Sequence, residues 1–121
     1  MTYVQGFVIP VPHANKTAYL EAAKWMGDLF IEYGAARIVE TWGVDVHKGE
    51  ATDFFKAVQA EDGENIVFSW VEWPSKAVCD AAAEKMQDDE RMQPNGEENP
   101  FDGRRLIYGG FEPLLELKAG D

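Results

Sequence analysis

The stretch Ile66-Val67-Phe68-Ser69-Trp70-Val71-Glu72-Trp73 constrains this chain more than any other. Side chains alternate across a strand, so Ile66, Phe68 and Trp70 fall on one side and Val67, Val71 and Trp73 on the other. A strand apolar on both sides needs cover on both. Pro74 stops it, because proline cannot donate to a ladder. Ser75 then has the chemistry of an N-cap for a helix over 76–90, with Val78, Ala82 and Met86 on one face. Asp88, Asp89 and Glu90 crowd acids at the negative end of that helix dipole, which predicts a frayed end.

A second two-sided strand is expected over residues 3–11, with Pro10 and Pro12 ending its ladder. Asn15 is the candidate N-cap of a helix over 16–33. Its apolar positions (Ala18, Ala22, Trp25 or Met26, Leu29, Phe30, Tyr33) repeat at three and four, and Gly34 is the stop. Gly27 lies inside this helix at a cost of about 1 kcal/mol against alanine, so close packing on the sheet is expected there. Residues 35–45 read as a strand with Ile38, Glu40, Trp42 and Val44 on one face and Arg37, Val39 and Thr41 on the other. A polar connection follows, in which Phe54, Phe55, Ala57 and Val58 suit a short strand extension or a helical turn. Residues 91–100 are polar and rich in breakers and read as a loop. Asp102-Gly103 is turn chemistry, with glycine free to take positive φ. A long strand then closes the sheet through Leu106, Ile107, Tyr108 and Phe111, interrupted at Gly109-Gly110 by a bulge or a close backbone approach.

The order is strand, helix, strand, strand, helix, strand. That is the split βαβ plan: an α+β, ferredoxin-like βαββαβ chain with a four-stranded antiparallel sheet and two helices on one face. The other sheet face is left apolar and bare. A second copy, packed sheet against sheet about a two-fold axis, is its simplest cover, so a homodimer is expected. With 121 residues the chain reads as one domain, residues 1–121, burying roughly two thirds of its unfolded surface. Its 22 acids against 11 bases give a formal charge of −11, which argues against nucleic acid and anionic membrane as partners. One cysteine rules out a disulfide framework. The first residues lack a basic, apolar leader, and no apolar run approaches the ~20 residues that span a bilayer, so a soluble cytoplasmic protein is expected.

Three segments carry a resemblance: Gly6-Phe7-Val8-Ile9-Pro10-Val11-Pro12, Val67-Phe68-Ser69-Trp70, and Pro100-Phe101-Asp102-Gly103-Arg104-Arg105-Leu106-Ile107-Tyr108-Gly109-Gly110-Phe111-Glu112-Pro113. With them the chain resembles the YbaA-like proteins, a small family of unknown function in the dimeric α/β-barrel, ferredoxin-like superfamily. The acidic insert near Asn95–Asn99 is longer than the family pattern. The resemblance implies the fold and the dimer; it implies no activity, no cofactor and no site residues. The wider superfamily holds cofactor-poor monooxygenases, haem-degrading enzymes and non-enzymatic ligand binders, which bears on function by analogy alone.

Four residues of the strands form the first candidate site. If residue numbers across the pair 35–45 and 66–73 sum to roughly 110, Glu40 stands opposite Trp70 with Glu72 diagonal to it on the same face, within about 8 Å. Two carboxylates beside the indoles of Trp42 and Trp70 suit an acid and a base on a stacked organic ligand. The alternative is that one or both reach the sheet edge or pair with an arginine across the dimer. Asp45 and His47, with Asp53 nearby, could begin a metal site or an acid–base pair, and His13 joins them only if the fold brings it near. Two ligands are too few, so a solvated loop is the alternative and no metal is expected. Cys79, near a helix N-terminus, is a reactive thiolate or an ordinary buried thiol. Arg104 and Arg105 either hold an anionic substrate or pair with Glu40, Glu72 or a partner chain. Trp25, Phe30, Tyr33, Phe68 and Tyr108 are expected to pack the core and the dimer. No helix follows Gly109-Gly110, so no nucleotide site is read there.

Two functions fit these residues. One is a small organic ligand bound, or transformed, in a pocket between helices and sheet, with Glu40, Glu72 or His47 moving protons. The other is a non-enzymatic dimeric interaction or regulatory module.

Overall fold

The structure, a computed structural model, describes residues 3–92 and 99–120. Strand β1 (Tyr3–Pro12) pairs antiparallel with β3 (Glu64–Trp73) along its whole length, and with β4 (Ile107–Phe111) over Val4–Val8. Strand β2 (Arg37–Trp42) pairs antiparallel with the other edge of β3. The sheet order is β2-β3-β1-β4. Helix α1 (Lys16–Glu32) follows β1, the single turn α2 (Phe54–Ala57) lies between β2 and β3, and α3 (Lys76–Gln87) follows β3. Among the described residues the chain is thus α+β, with a four-stranded antiparallel sheet and three helices.

Local chemistry explains most boundaries. Ser75 Oγ accepts from Val78 N–H at 3.1 Å and caps α3 as expected. Gly34, at φ +113°, ends α1. Asp53 caps α2 through Lys56 N–H at 2.7 Å and reaches back to Gly49 N–H at 2.9 Å, so the helical turn, not a strand extension, forms at 54–57. Helix α3 ends at Gln87, short of residue 90. Its acidic end is pinned: Tyr33 donates to Asp89 at 2.5 Å, and Arg91 bonds Asp89 at 2.7 Å and Glu32 at 2.5 Å.

Several expectations are corrected. Pro10 does not end β1, which runs on to Pro12 and stops there; beyond Val8 the strand has no β4 neighbour, so the missing Pro10 N–H is not needed on that side. Asn15 stands at the N-cap of α1 but makes no side-chain cap; its Nδ2 donates instead to Pro100 O at 2.9 Å. A methyl built on Gly27 would meet Ile38 Cδ1 at 3.5 Å, an ordinary contact, so packing does not demand that glycine. Strand β2 stops at Trp42. Buried Asn65 donates to Gly43 O at 2.9 Å and receives Ile66 N–H on its Oδ1 at 2.8 Å, and Gly43 has no space for a side chain there. The turn at Gly103 uses ordinary backbone: Asp102 accepts from Arg104 N–H at 3.0 Å through its carboxylate and from Arg105 N–H at 3.2 Å through its carbonyl. Gly109 and Gly110 pair in register with Gly6 and Gln5 without a bulge, and what comes close to Gly110 is the ring of Tyr3, not another backbone. Strand β4 is also short, ending at Phe111. Of the insert near Asn95–Asn99, residues 95–98 lie outside the described residues.

Helices α1 and α3 cover one sheet face. One cluster there joins Ala35, Val71, Trp73, Cys79 and Ala82, with Phe30 edge-on to Trp73; the other joins Ile9, Val11, Tyr19 and Val67. Ser69 is the β3 residue between Val67 and Val71 on that face. On the opposite face, Pro10 and Ile66 are buried, while Phe68 is 46% exposed, Ile107 45% and Phe111 61%. Phe54, Phe68 and Trp70 form a chain of ring contacts across it.

Candidate functional site

A cavity of about 680 Å³ opens between α1, α3 and the sheet. Alternation puts Phe7, Ile9, Glu40, Ser69 and Val71 on its floor. Helix α1 supplies Tyr19, Ala22, Ala23, Met26 and Phe30, spaced at three and four. The alanines matter: small side chains over the floor leave space that larger ones would fill.

Three polar groups converge in this apolar setting. Glu40 on β2 and Ser69 on β3 are direct partners across the ladder. Tyr19, buried on α1, donates its phenol proton to Glu40 Oε1 at 2.6 Å. The Ser69 hydroxyl stands beside both groups and lowers the pKa of each. Burial pushes the Glu40 carboxyl above the usual glutamate range, and the two hydroxyls only partly offset it. Burial first, then the neighbouring carboxylate, pushes the Tyr19 phenol up, so it keeps its proton and remains a donor. Glu40, on the edge strand β2, is an exposed residue and also lines the cavity. Phe101 meets Tyr19 edge-on at 5.7 Å, and the Asn15–Pro100 bond holds the segment that carries Phe101.

The expected Glu40–Glu72 pair does not form. The register is one residue shorter: Glu40 faces Ser69, and Val39 faces Trp70. One residue reverses the side, so Trp70 and Glu72 lie on the outer face, away from Glu40. There Trp70 Nε1 donates to Glu72 Oε2 at 2.8 Å and Arg37 pairs with the same oxygen at 3.4 Å, an arginine of this chain rather than of a partner. Trp42 shares Glu40's face but packs edge-on to His13 at 5.9 Å, with Lys16 Nζ 5.2 Å over its ring.

Asp45 and His47 stand 3.3 Å apart with side chains 82% and 84% exposed, and Asp53 is occupied as a cap. Among the described residues no group of three or more His, Cys, Asp or Glu could hold a metal ion. Cys79 is buried, which pushes its thiol up, away from a thiolate. Arg104 pairs with Asp102 at 3.2 Å. Arg105 binds Glu64 at 2.7 Å, Asp102 at 3.1 Å and Glu61 at 3.3 Å, tying the start of β3 to the turn before β4. Neither ion-pair set includes Glu40 or Glu72. Trp25 and Phe30, expected as packing, line the cavity; Tyr108 stacks on Phe7 at 6.0 Å and is largely exposed.

Sequence reasoning found Glu40 and missed Tyr19 and Ser69. Both left a signal. Ser69 is the lone hydroxyl in an apolar run, and Tyr19 begins the stripe Tyr19, Ala22 or Ala23, Met26, Phe30. Together the three groups can orient a bound molecule and take up or return a proton, since a carboxyl with a raised pKa exchanges protons closer to neutrality.

The model of a family described as "Protein of unknown function (DUF1428)" matches residues 2–103. The proteins named "Uncharacterized protein YbaA" of Escherichia coli strain K12, Escherichia coli O157:H7 and Shigella flexneri are each 55% identical over 116 residues, spanning 96% of this chain and 99% of theirs. Among the described residues no helix is long and apolar enough to cross a membrane. With a family match over most of its length and close relatives along nearly all of it, the chain belongs to the DUF1428 family of proteins of unknown function.

Proposed function

We propose that this protein binds a small organic molecule in the cavity between its two long helices and the sheet, with Glu40 as the group that accepts its proton. One observation carries the reading: a carboxylate flanked by two hydroxyls stands on the floor of an otherwise apolar cavity of about 680 Å³. Binding sites for small molecules have this composition, apolar walls with a few convergent polar groups. One proton acceptor serves binding and catalysis alike.

The finer description of the fold belongs to the same proposal. The order β2-β3-β1-β4 with both long helices on one face supports a ferredoxin-like βαββαβ domain. The outer face supports a homodimer. Phe68, Ile107 and Phe111 stand open there, and Leu114, Leu115 and Leu117 extend, exposed, beyond β4. A role confined to association rests on that face alone.

Native mass spectrometry of gently purified protein tests both parts, with an Ala22→Trp variant that fills the cavity as the control. A dimer carrying an added organic mass that the variant loses is the expected result. An added mass that persists in the variant sinks the cavity reading, and a monomer sinks the dimer.

A further inference from the structure

We infer that the molecule bound in this cavity carries no negative charge, is largely apolar and presents a hydroxyl or N–H to Glu40. The inference rests on the cavity being the binding site. Beside Tyr19, Glu40 and Ser69, the polar groups of the wall are the amides of Gln87 and Asn99 and the indole N–H of Trp25, and none of the described wall residues is a lysine, arginine or histidine. The segment 93–98 carries Glu97 and Glu98 and no basic residue. Arg91, Arg104 and Arg105 are already engaged by Asp89, Asp102 and Glu64. An anion here would therefore lose its hydration beside a carboxylate with no countercharge, the costly arrangement for a buried charge.

The hydroxyls narrow the class further. Each hydroxyl has one proton to give. Tyr19 gives its proton to Glu40 Oε1 at 2.6 Å, and the single Ser69 proton has Glu40 and Tyr19 as its neighbours. A ligand carbonyl finds neither hydroxyl free. The carboxylate has room for about four bonds and receives one from Tyr19 and at most one more from Ser69, so its open capacity is for acceptance. Toward Glu40 the ligand must donate. Around it Met26, Met86 and Met92 supply an adaptable wall, since thioethers repack readily against a flat apolar body.

Three probes of nearly one shape separate the terms: 2-naphthol (neutral donor), 2-methoxynaphthalene (neutral, no donor) and 2-naphthoate (anion). Their binding is followed near neutral pH by amide NMR shifts, with Tyr19, Glu40 and Ser69 as the reporters of place. At that pH a ring hydroxyl, like that of tyrosine, keeps its proton. We expect 2-naphthol to bind about tenfold more tightly than 2-methoxynaphthalene, as a hydrogen bond to a charged acceptor implies, and 2-naphthoate to bind weakest. In Glu40→Gln the exclusion of 2-naphthoate should relax by about tenfold, because the charge is gone and the amide can donate. If 2-naphthoate moves the same resonances at concentrations as low as 2-naphthol does, the ligand class is wrong and the cavity stands. If no probe moves those resonances, the cavity reading falls and takes this inference with it.

Discussion

Replacing Tyr19 with phenylalanine removes one atom from the centre of the proposed site and leaves its packing in place. The ring keeps its edge contact with Phe101 and its place beside Ile9 and Val67. What is lost is the 2.6 Å hydrogen bond to Glu40 Oε1. A buried hydrogen bond to a charged group contributes about 1.5–3 kcal/mol. Glu40, however, is an exposed residue, so water can replace the hydroxyl, and the expected loss is nearer about 1 kcal/mol. The assay is urea unfolding near pH 7 for wild type, Tyr19→Phe, Glu40→Gln and the double variant. The cycle should return a coupling of about 1 kcal/mol between the two sites. A second readout is the Glu40 carboxyl itself, followed by carbon-detected NMR across pH. With one donor removed it should titrate at higher pH than in wild type. The raised carboxyl also sets a slope. Between the ordinary glutamate range and Glu40's own, the folded state keeps a proton that the unfolded chain has released. Stability therefore falls as pH rises through that window, and Glu40→Gln should remove this part of the fall. A coupling under about 0.3 kcal/mol, within the scatter of independent sites, together with an unmoved Glu40 titration, would refute the view that these residues act as one unit.

Other perturbations test the frame around the site. Gly27→Ala should raise stability by about 1 kcal/mol in urea unfolding, because the new methyl meets Ile38 at an ordinary distance and helix propensity improves; a loss would show that the helix sits closer to β2. Ser75→Ala should cost about 1 kcal/mol by removing the bond to Val78 N–H, read in the same assay, and no loss would mean that water caps α3 equally well. Arg105→Gln should lower the melting temperature and move the Glu64 titration upward. The Arg105 guanidinium holds the Glu64 carboxyl below its usual range, so its contribution is present above that range and lost as pH falls; the variant's acid limb should be shallower, and an unchanged acid limb would count against the pairing.

The legible parts of the sequence are those governed by neighbours in the chain. Ser75, Gly34 and the alternation of β3 acted as read, because a cap, a left-handed stop and a strand's two faces are decided within a few residues. Pro10 failed as a stop for a reason distant in sequence: β4, the neighbouring strand, begins opposite Val8 and does not reach it. Asn15 failed as a cap because Pro100, distant in sequence, offered its amide another partner.

The same division runs through the site. The sequence by itself determined that Glu40 lies on the face of β2 shared with Ile38 and Trp42, and that β3 is apolar on both sides. It also determined the order of elements and the acidic charge. Only the tertiary structure decided which residue Glu40 meets. Strands β2 and β3 are joined by a long connection, and no turn sets their register. The lock of Gly43 against Asn65 and Ile66 stands at the junction and pairs Glu40 with Ser69. With a side-chain period of two, that one residue separates a carboxylate pair on one face from a Tyr19–Glu40–Ser69 site on one face and a Trp70–Glu72–Arg37 cluster on the other.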